Sequence, residues 1–133
     1  MSLDPSTELA VRRSLTLTCL RADEAPIEQL GELLADDITW SMGGRTWTGK
    51  AEVLEGLQAP RTNGMVGPGS GTRHLLSTVL VDEAESGARS RSSWMLVRAG
   101  ATGVDVLMAG DYHDTWRTAG GDAVLVARRV DRL

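Results

Sequence analysis

The residues best suited to acid/base work in this 133-residue sequence are Asp23, His74, Tyr112 and Asp114. Histidine is the one side chain whose ordinary pKa places its charge change close to neutrality. A tyrosine hydroxyl can donate to a carbonyl or enolate oxygen, and a carboxylate can orient a histidine or take a proton itself. His74 opens an apolar stretch just after the glycine-rich segment 61–72, so its ring would stand at a cavity mouth, with Asp23 fixing its tautomer. Tyr112 and Asp114 are two apart on a predicted strand and therefore share a face. Plain structural roles stand beside each of these: a satisfied core histidine, a helix-end aspartate ahead of Pro26, a buried ring with a paired hydroxyl, and a carboxylate accepting backbone or arginine hydrogen bonds.

Trp40, Trp94 and Trp116 fall on predicted strands, and Met108 shares the face of Tyr112, Asp114 and Trp116. Planar apolar walls of this kind suit a polycyclic or aromatic ligand, although tryptophans in a small core also simply fill volume. Other chemistries lack their signatures. The two histidines are far apart and Cys19 stands alone, which gives no metal-ligand spacing. Gly67-Pro68-Gly69-Ser70-Gly71 lacks the Lys-Ser/Thr of a phosphate loop, and no Gly-x-Ser-x-Gly elbow is present. No cofactor, metal or nucleotide is implied. Cys19, on a buried helical stripe, is expected to be inert.

The composition, 41% hydrophobic with a formal net charge of −4, supports one compact domain over residues 1–133 and no polyanionic partner. Nucleic acid is therefore not expected. The N-terminal MSLDPSTELAVRRS has no apolar run behind a basic start, and no stretch nears the roughly 20 apolar residues that span a bilayer. The expectation is a cytoplasmic protein without membrane contact. Arg89, Arg91 and Arg98, with Arg128, Arg129 and Arg132, read as basic patches on strands, solvated or paired across subunits.

The elements that would position these residues follow from periodicity. Asp4-Pro5-Ser6-Thr7-Glu8 starts a helix whose Val11, Leu15, Cys19 and Ala22 form one stripe ending near Asp23-Glu24. Pro26 opens a second helix, with Ile27, Leu30 and Leu34 repeating until Asp36-Asp37. The period then becomes two: Ile38 to Met42 is a strand, Gly43-Gly44 a turn, and Arg45 to Thr48 the return strand. A third helix runs from Ala51 to Leu57, with Pro60 as its stop, and the segment 61–72 reads as a mobile loop. Strands follow at 74–81, 88–98, 104–117 and 123–130. On the third of these, alternation places Val104, Val106, Met108, Gly110, Tyr112, Asp114 and Trp116 on the inner face and Asp111 and His113 on the other. Helices segregated from an antiparallel sheet define an α+β domain.

This order, read with Ala22-Asp23, the run Leu33 to Trp40, Thr72 to Leu76, Gly110 to Thr115 and Ala127 to Val130, resembles the nuclear transport factor 2-like superfamily, in its SnoaL-like branch. The resemblance implies a cone-shaped barrel of a curved antiparallel or mixed sheet packed on three N-terminal helices, around one small-molecule pocket. Relatives include polyketide cyclases, scytalone dehydratase, ketosteroid isomerase and dioxygenase small subunits, so chemistry does not follow from the fold. Scytalone dehydratase has an aspartate at the end of its first helix and a histidine on the strand after its third, and Asp23 and His74 sit at the matching points. Its second catalytic histidine corresponds to Trp94 here, and the tyrosine before its aspartate to Ala22.

The expected function is a cofactor-independent lyase, isomerase or cyclase acting on a small hydrophobic carbonyl compound. His74 would be the base, Asp23 the orienting group, and Tyr112 or Asp114 would polarise the oxygen. The alternative is a ligand-binding or structural partner subunit without chemistry. Either accepts a homodimer or other homo-oligomer, because a sheet presenting Leu107, Ala109 and Leu125 would need cover.

Overall fold

A computed structural model describes residues 3–133. The chain runs α1 (Pro5–Glu24), α2 (Ile27–Gly31), β1 (Leu34–Met42), β2 (Arg45–Thr48), α3 (Lys50–Thr62), β3 (Thr72–Ala84), β4 (Gly87–Gly100), β5 (Gly103–Ala119) and β6 (Asp122–Arg132). The strands form one six-stranded sheet in the order β2-β1-β6-β5-β4-β3. The β1/β6 pair is parallel and every other pair is antiparallel, so the sheet is mixed. Strands β2 and β3 are its two edges, and the expected cone is therefore open along one side rather than a closed barrel.

Helix α1 starts where Asp4 caps it, its carboxylate accepting the Ser6 backbone N–H at 2.8 Å. Its buried stripe of Val11, Leu15 and Cys19 faces the sheet. Burying a side chain such as Leu15 contributes about 1.5–3 kcal/mol. The core beneath it joins Ile38, Val81, Leu125 and Trp116, leaving Cys19 and Asp23 on the last turns of α1 over the other end of the inner face.

Several element boundaries differ from the periodic reading. Helix α2 stops at Gly31, and Leu34 belongs to β1, where it pairs with Leu125. The backbone N–H of Leu125 bonds the Leu33 carbonyl at 3.0 Å, so parallel pairing with β6 outweighs the helical repeat. Pro60 lies inside α3, which continues to Thr62. Segment 63–71 is tied by hydrogen bonds, Thr72 Oγ1 to the Met65 carbonyl at 2.9 Å and Ser70 Oγ to the Gly67 carbonyl at 2.6 Å. Leu125, expected on an exposed face, is completely buried.

Irregularities in the ladders decide which side chains face inward. Between Ser77 and Leu80 the β3/β4 register shifts, with Thr78 at φ 55°. Alternation is thereby reset, so that His74 and Leu76 and then Val79 and Val81 all face the core side. A second shift lies between Thr115 and Trp116 in the β5/β6 pair. Ala123 and Leu125 point in before it and Arg128 and Val130 after it, two odd-numbered positions followed by two even-numbered ones.

Candidate functional site

The end of α1 meets the start of β3 through one carboxylate. Asp23 Oδ1 lies 2.7 Å from His74 Nδ1, and Asp23 Oδ2 accepts the His74 backbone N–H at 3.0 Å. The Asp23 side chain is 3% exposed and that of His74 16%. Because a carboxylate only accepts, the Nδ1 that faces it carries the proton, and in the neutral ring Nε2 then holds the lone pair. That tautomer is inferred from the hydrogen bond. Among the described residues no partner occupies Nε2.

Three contacts hold the α1 exit in place. From α3, Arg61 donates to the carbonyl of Ala22 at 2.9 Å and also to that of Ala25. Arg73, beside His74, pairs with Glu24, beside Asp23. Asp23 itself closes the set by accepting from the backbone of β3. Arg61 is a positioning residue that the sequence reading did not single out.

Across the inner face runs a row of polar and aromatic side chains. Tyr112 and Asp114 both point inward from β5 and are buried. Asp114 is held by Arg128, whose Nε and Nη2 donate to its two oxygens at 2.8 and 2.9 Å. Both side chains are almost wholly shielded from solvent. The Arg128 guanidinium also lies over the Tyr112 ring, 3.8 Å from its centroid, and over Trp40 at 5.0 Å. Trp94 stacks on the other side of the row, 5.5 Å from Tyr112, and its ring is 6.4 Å from that of His74. Gly110, opposite Trp94 in the ladder, makes this possible: a Cβ there would lie 1.9 Å from the Asp131 carbonyl oxygen and 3.0 Å from the Trp94 ring.

Electrostatics match this enclosure. Burial pushes the Tyr112 hydroxyl well above the ordinary tyrosine range, against the pull of Arg128. Burial likewise pushes the Cys19 thiol up to about 11, so it is a neutral, unreactive group near neutral pH. For Arg128 burial acts to lower the pKa, but the Asp114 carboxylate outweighs it and the guanidinium stays charged. The pair is therefore an internally neutralised ion pair rather than a free carboxylate.

Of the tryptophans expected to wall a cavity, Trp40 and Trp94 reach this row, whereas Trp116 is completely buried and donates Nε1–H to Ser90 Oγ at 2.8 Å. Met108 is half-buried against the core. Three buried polar atoms meet no hydrogen-bond partner among the described residues: Trp40 Nε1, Trp94 Nε1 and Ser92 Oγ.

Arg128 is not part of the expected basic patch, because the bulge before it turns it inward. Arg129, its neighbour, does face solvent. A broad groove of about 500 Å³ is lined among others by the outward-facing Thr39, Asp82, Arg91, His113 and Arg129 together with Asp114 and Arg128. It is polar and, although it also reaches Asp114 and Arg128, contains neither Asp23 nor His74, so the Asp23–His74 dyad rather than groove size marks the candidate site.

A family model for the SnoaL-like domain matches residues 6–129, and the chain belongs to that family. Among proteins of curated function none matches. Solved structures are similar in fold. A cystatin-fold protein of unknown function from Nostoc punctiforme superposes with a TM-score of 0.84 at 18% identity, covering 100% of this chain and 96% of that one. A candidate scytalone dehydratase from Novosphingobium aromaticivorans gives 0.75 at 20% identity, with 98% and 89% covered. The beta subunit of a candidate aromatic-ring-hydroxylating dioxygenase from the same organism gives 0.72 at 19%, with 92% and 86% covered.

Proposed function

We propose that this SnoaL-like protein is a cofactor-independent lyase, isomerase or cyclase that moves a proton on a small hydrophobic carbonyl compound. The observation that carries the reading is the Asp23–His74 contact, with Nδ1 engaged at 2.7 Å and Nε2 open. In the proposed step Nε2 takes a proton from the carbon next to the carbonyl, and that bonding pair shifts to form an enolate. Asp23 steadies the resulting imidazolium, as a carboxylate does for a histidine base. Tyr112 donates to the developing oxyanion, its raised pKa keeping the phenol protonated. Asp114 serves by holding Arg128 against Tyr112 and Trp40. Trp40 and Trp94 take the flat faces of the ligand. Return of the proton from the imidazolium to another carbon gives an isomerase, its delivery to a β-hydroxyl that departs as water a lyase, and its delivery to the oxygen of a second carbonyl attacked by the enolate carbon a cyclase.

The likeness to a scytalone dehydratase candidate supports this class without fixing the substrate. The test is proton exchange: chromanone, a flat bicyclic ketone, is incubated with the protein in deuterium oxide. Faster deuterium uptake beside the carbonyl with wild type than with His74→Ala supports the reading, and equal uptake rejects it.

A second reading, a non-catalytic binding or partner subunit, is favoured by the likeness to a dioxygenase beta subunit and by the outer sheet face. Leu75 and Met95 are ladder neighbours there, 47% and 40% exposed, with Ala109 next in the row. An apolar strip of this kind suits a second copy of the chain, and a homodimer through the outer face is compatible with either reading.

A further inference from the structure

The groove of about 500 Å³ borders side chains that the inner-face chemistry leaves unused. Two adjacent rows of the ladder supply them. One row runs Thr39, Ala127, Thr115, Arg89 and Asp82, and the next runs Ser41, Arg129, His113 and Arg91. Arg89 and Arg91 alternate with buried Ala88, Ser90 and Ser92, so both face outward. Side chains on one face of a strand repeat about every 7 Å and strands lie about 5 Å apart, so the α-carbons of Arg89 and Arg91 are roughly 7 Å apart and those of Arg91 and Arg129 roughly 10 Å, across His113. Three long cationic side chains thus stand around His113 and Thr115. A volume of this size falls among small-molecule sites, about 300–1,000 Å³, and exceeds what a bare ion fills.

Four arginines and two aspartates border the groove, a surplus of two positive charges in a chain whose formal net charge is −4. Arg128 and Asp114 cancel each other at 2.8 and 2.9 Å, so the surplus belongs to Arg89, Arg91 and Arg129 against Asp82. Acids beyond the groove hold these arginines loosely. Asp111 lies 3.8 Å from Arg91, outside hydrogen-bond range, and Asp131 is shared between Arg129 at 3.3 Å and His113 at 3.2 Å. Arg89 is exposed and in no ion pair among the described residues. Exposed pairs contribute little, so an arriving anion displaces them at small cost. Guanidinium forks match phosphate and carboxylate alike, but three of them around one point favour a group with three terminal oxygens and two charges over a planar carboxylate. Toward β1 the groove is uncharged, with the hydroxyls of Thr39 and Ser41 beside Ala127. We propose that this groove binds a small phosphorylated polyol, its phosphate among Arg89, Arg91 and Arg129 and its hydroxyl-bearing part over Thr39 and Ser41. The site shares no residue with the Asp23–His74 dyad, so it stands whether or not the inner face carries chemistry.

The chain has two histidines, one in the groove and one at the inner face, so their ring resonances report which site is filled. Glucose 6-phosphate, inorganic phosphate and glucose are titrated into the protein at low salt, with affinities from calorimetry. The expected result is that glucose 6-phosphate shifts the His113 resonances and leaves those of His74 in place. It should bind about threefold to tenfold more tightly than inorganic phosphate, and glucose should bind at least about 100-fold more weakly. Arg89→Gln and Arg91→Gln, both at exposed positions, should each weaken glucose 6-phosphate about tenfold. Asp82→Asn removes the opposing carboxylate of the groove and should tighten binding about twofold to threefold. Added salt should weaken binding more in wild type than in Arg89→Gln. No binding of glucose 6-phosphate, a shift of His74 in place of His113, or arginine variants that bind like wild type would overturn the proposal. Inorganic phosphate bound as tightly as glucose 6-phosphate would mark an adventitious ion only and overturn it as well.

Discussion

Asp23 grips His74 at two points, the ring through Oδ1 and the backbone through Oδ2. The second contact fixes where β3 begins relative to α1, and the first fixes how the ring is turned. A single buried carboxylate therefore joins the fold to the chemistry proposed for it. Substituting Asp23→Asn should leave the ring without its anionic partner and one donor poorly met. The expected loss is about 1–3 kcal/mol of stability in urea unfolding. The same variant should slow the exchange reaction, while His74→Ala should lower it about 100-fold or more.

Breaking the ion pair between Asp114 and Arg128 is expected to cost more than removing it. Arg128→Met alone strands a buried carboxylate, with an expected loss of about 3–5 kcal/mol. Arg128→Met combined with Asp114→Leu should recover most of that loss, because two buried charges disappear together. Chemical denaturation of the three proteins distinguishes a coupled pair from two independent residues, for which the losses would add.

Arg61 tests whether the α1 exit needs its clasp. Arg61→Ala removes donors from the carbonyls of Ala22 and Ala25 and should reduce turnover with little change in KM, since the ligand-facing groups remain. Arg61→Lys should restore part of the rate. A pure stability effect would show neither the kcat-specific loss nor the rescue.

Alkaline pH should expose the buried acids. The Cys19 thiol is raised from 9.0 to about 11, and Tyr112 is raised from 10.0, in both cases chiefly by burial. The unfolded chain loses these protons first, so the stability they confer is intact below about pH 9 and declines as pH rises through the folded values. Urea midpoints should therefore fall above that point and fall less steeply for Tyr112→Phe. With one tyrosine in the chain, tyrosinate absorbance reads the same event: it should appear only as the protein unfolds.

Covering the outer strip should be visible in solution mass. Met95→Lys places a charge in the exposed row of Leu75, Met95 and Ala109 and should convert a dimer to a monomer in sedimentation, with the urea midpoint hardly altered at low protein concentration. An unchanged mass would remove this face from the interface.

The fold was legible because its periods are clean. The α1 stripe repeats every three to four residues, the strands alternate, and glycines mark the turns at Gly43-Gly44 and Gly120-Gly121, all four at positive φ. Asp23 and His74 were legible as the ends of adjoining elements, but their meeting depends on tertiary packing that no local pattern encodes. Arg128 was not legible for a definite reason. Alternation carried forward from Leu125 points Arg129 inward, and only the shift between Thr115 and Trp116 reverses this. The sign of that reversal in the sequence is the broken rhythm of Leu125-Val126-Ala127, where three apolar residues occupy both faces. Leu34 failed for a similar reason, since its apolar spacing fits a helix as well as a strand until β6 supplies a partner.

The most direct test is nitrogen NMR of the His74 ring, made tractable because the chain has only two histidines. At a pH where the ring is neutral, the expected result is a proton on Nδ1 and a bare Nε2, lost on Asp23→Asn. A ring protonated on Nε2, or tautomers in equal exchange with Asp23 intact, would contradict the assignment of His74 as a base held ready by Asp23.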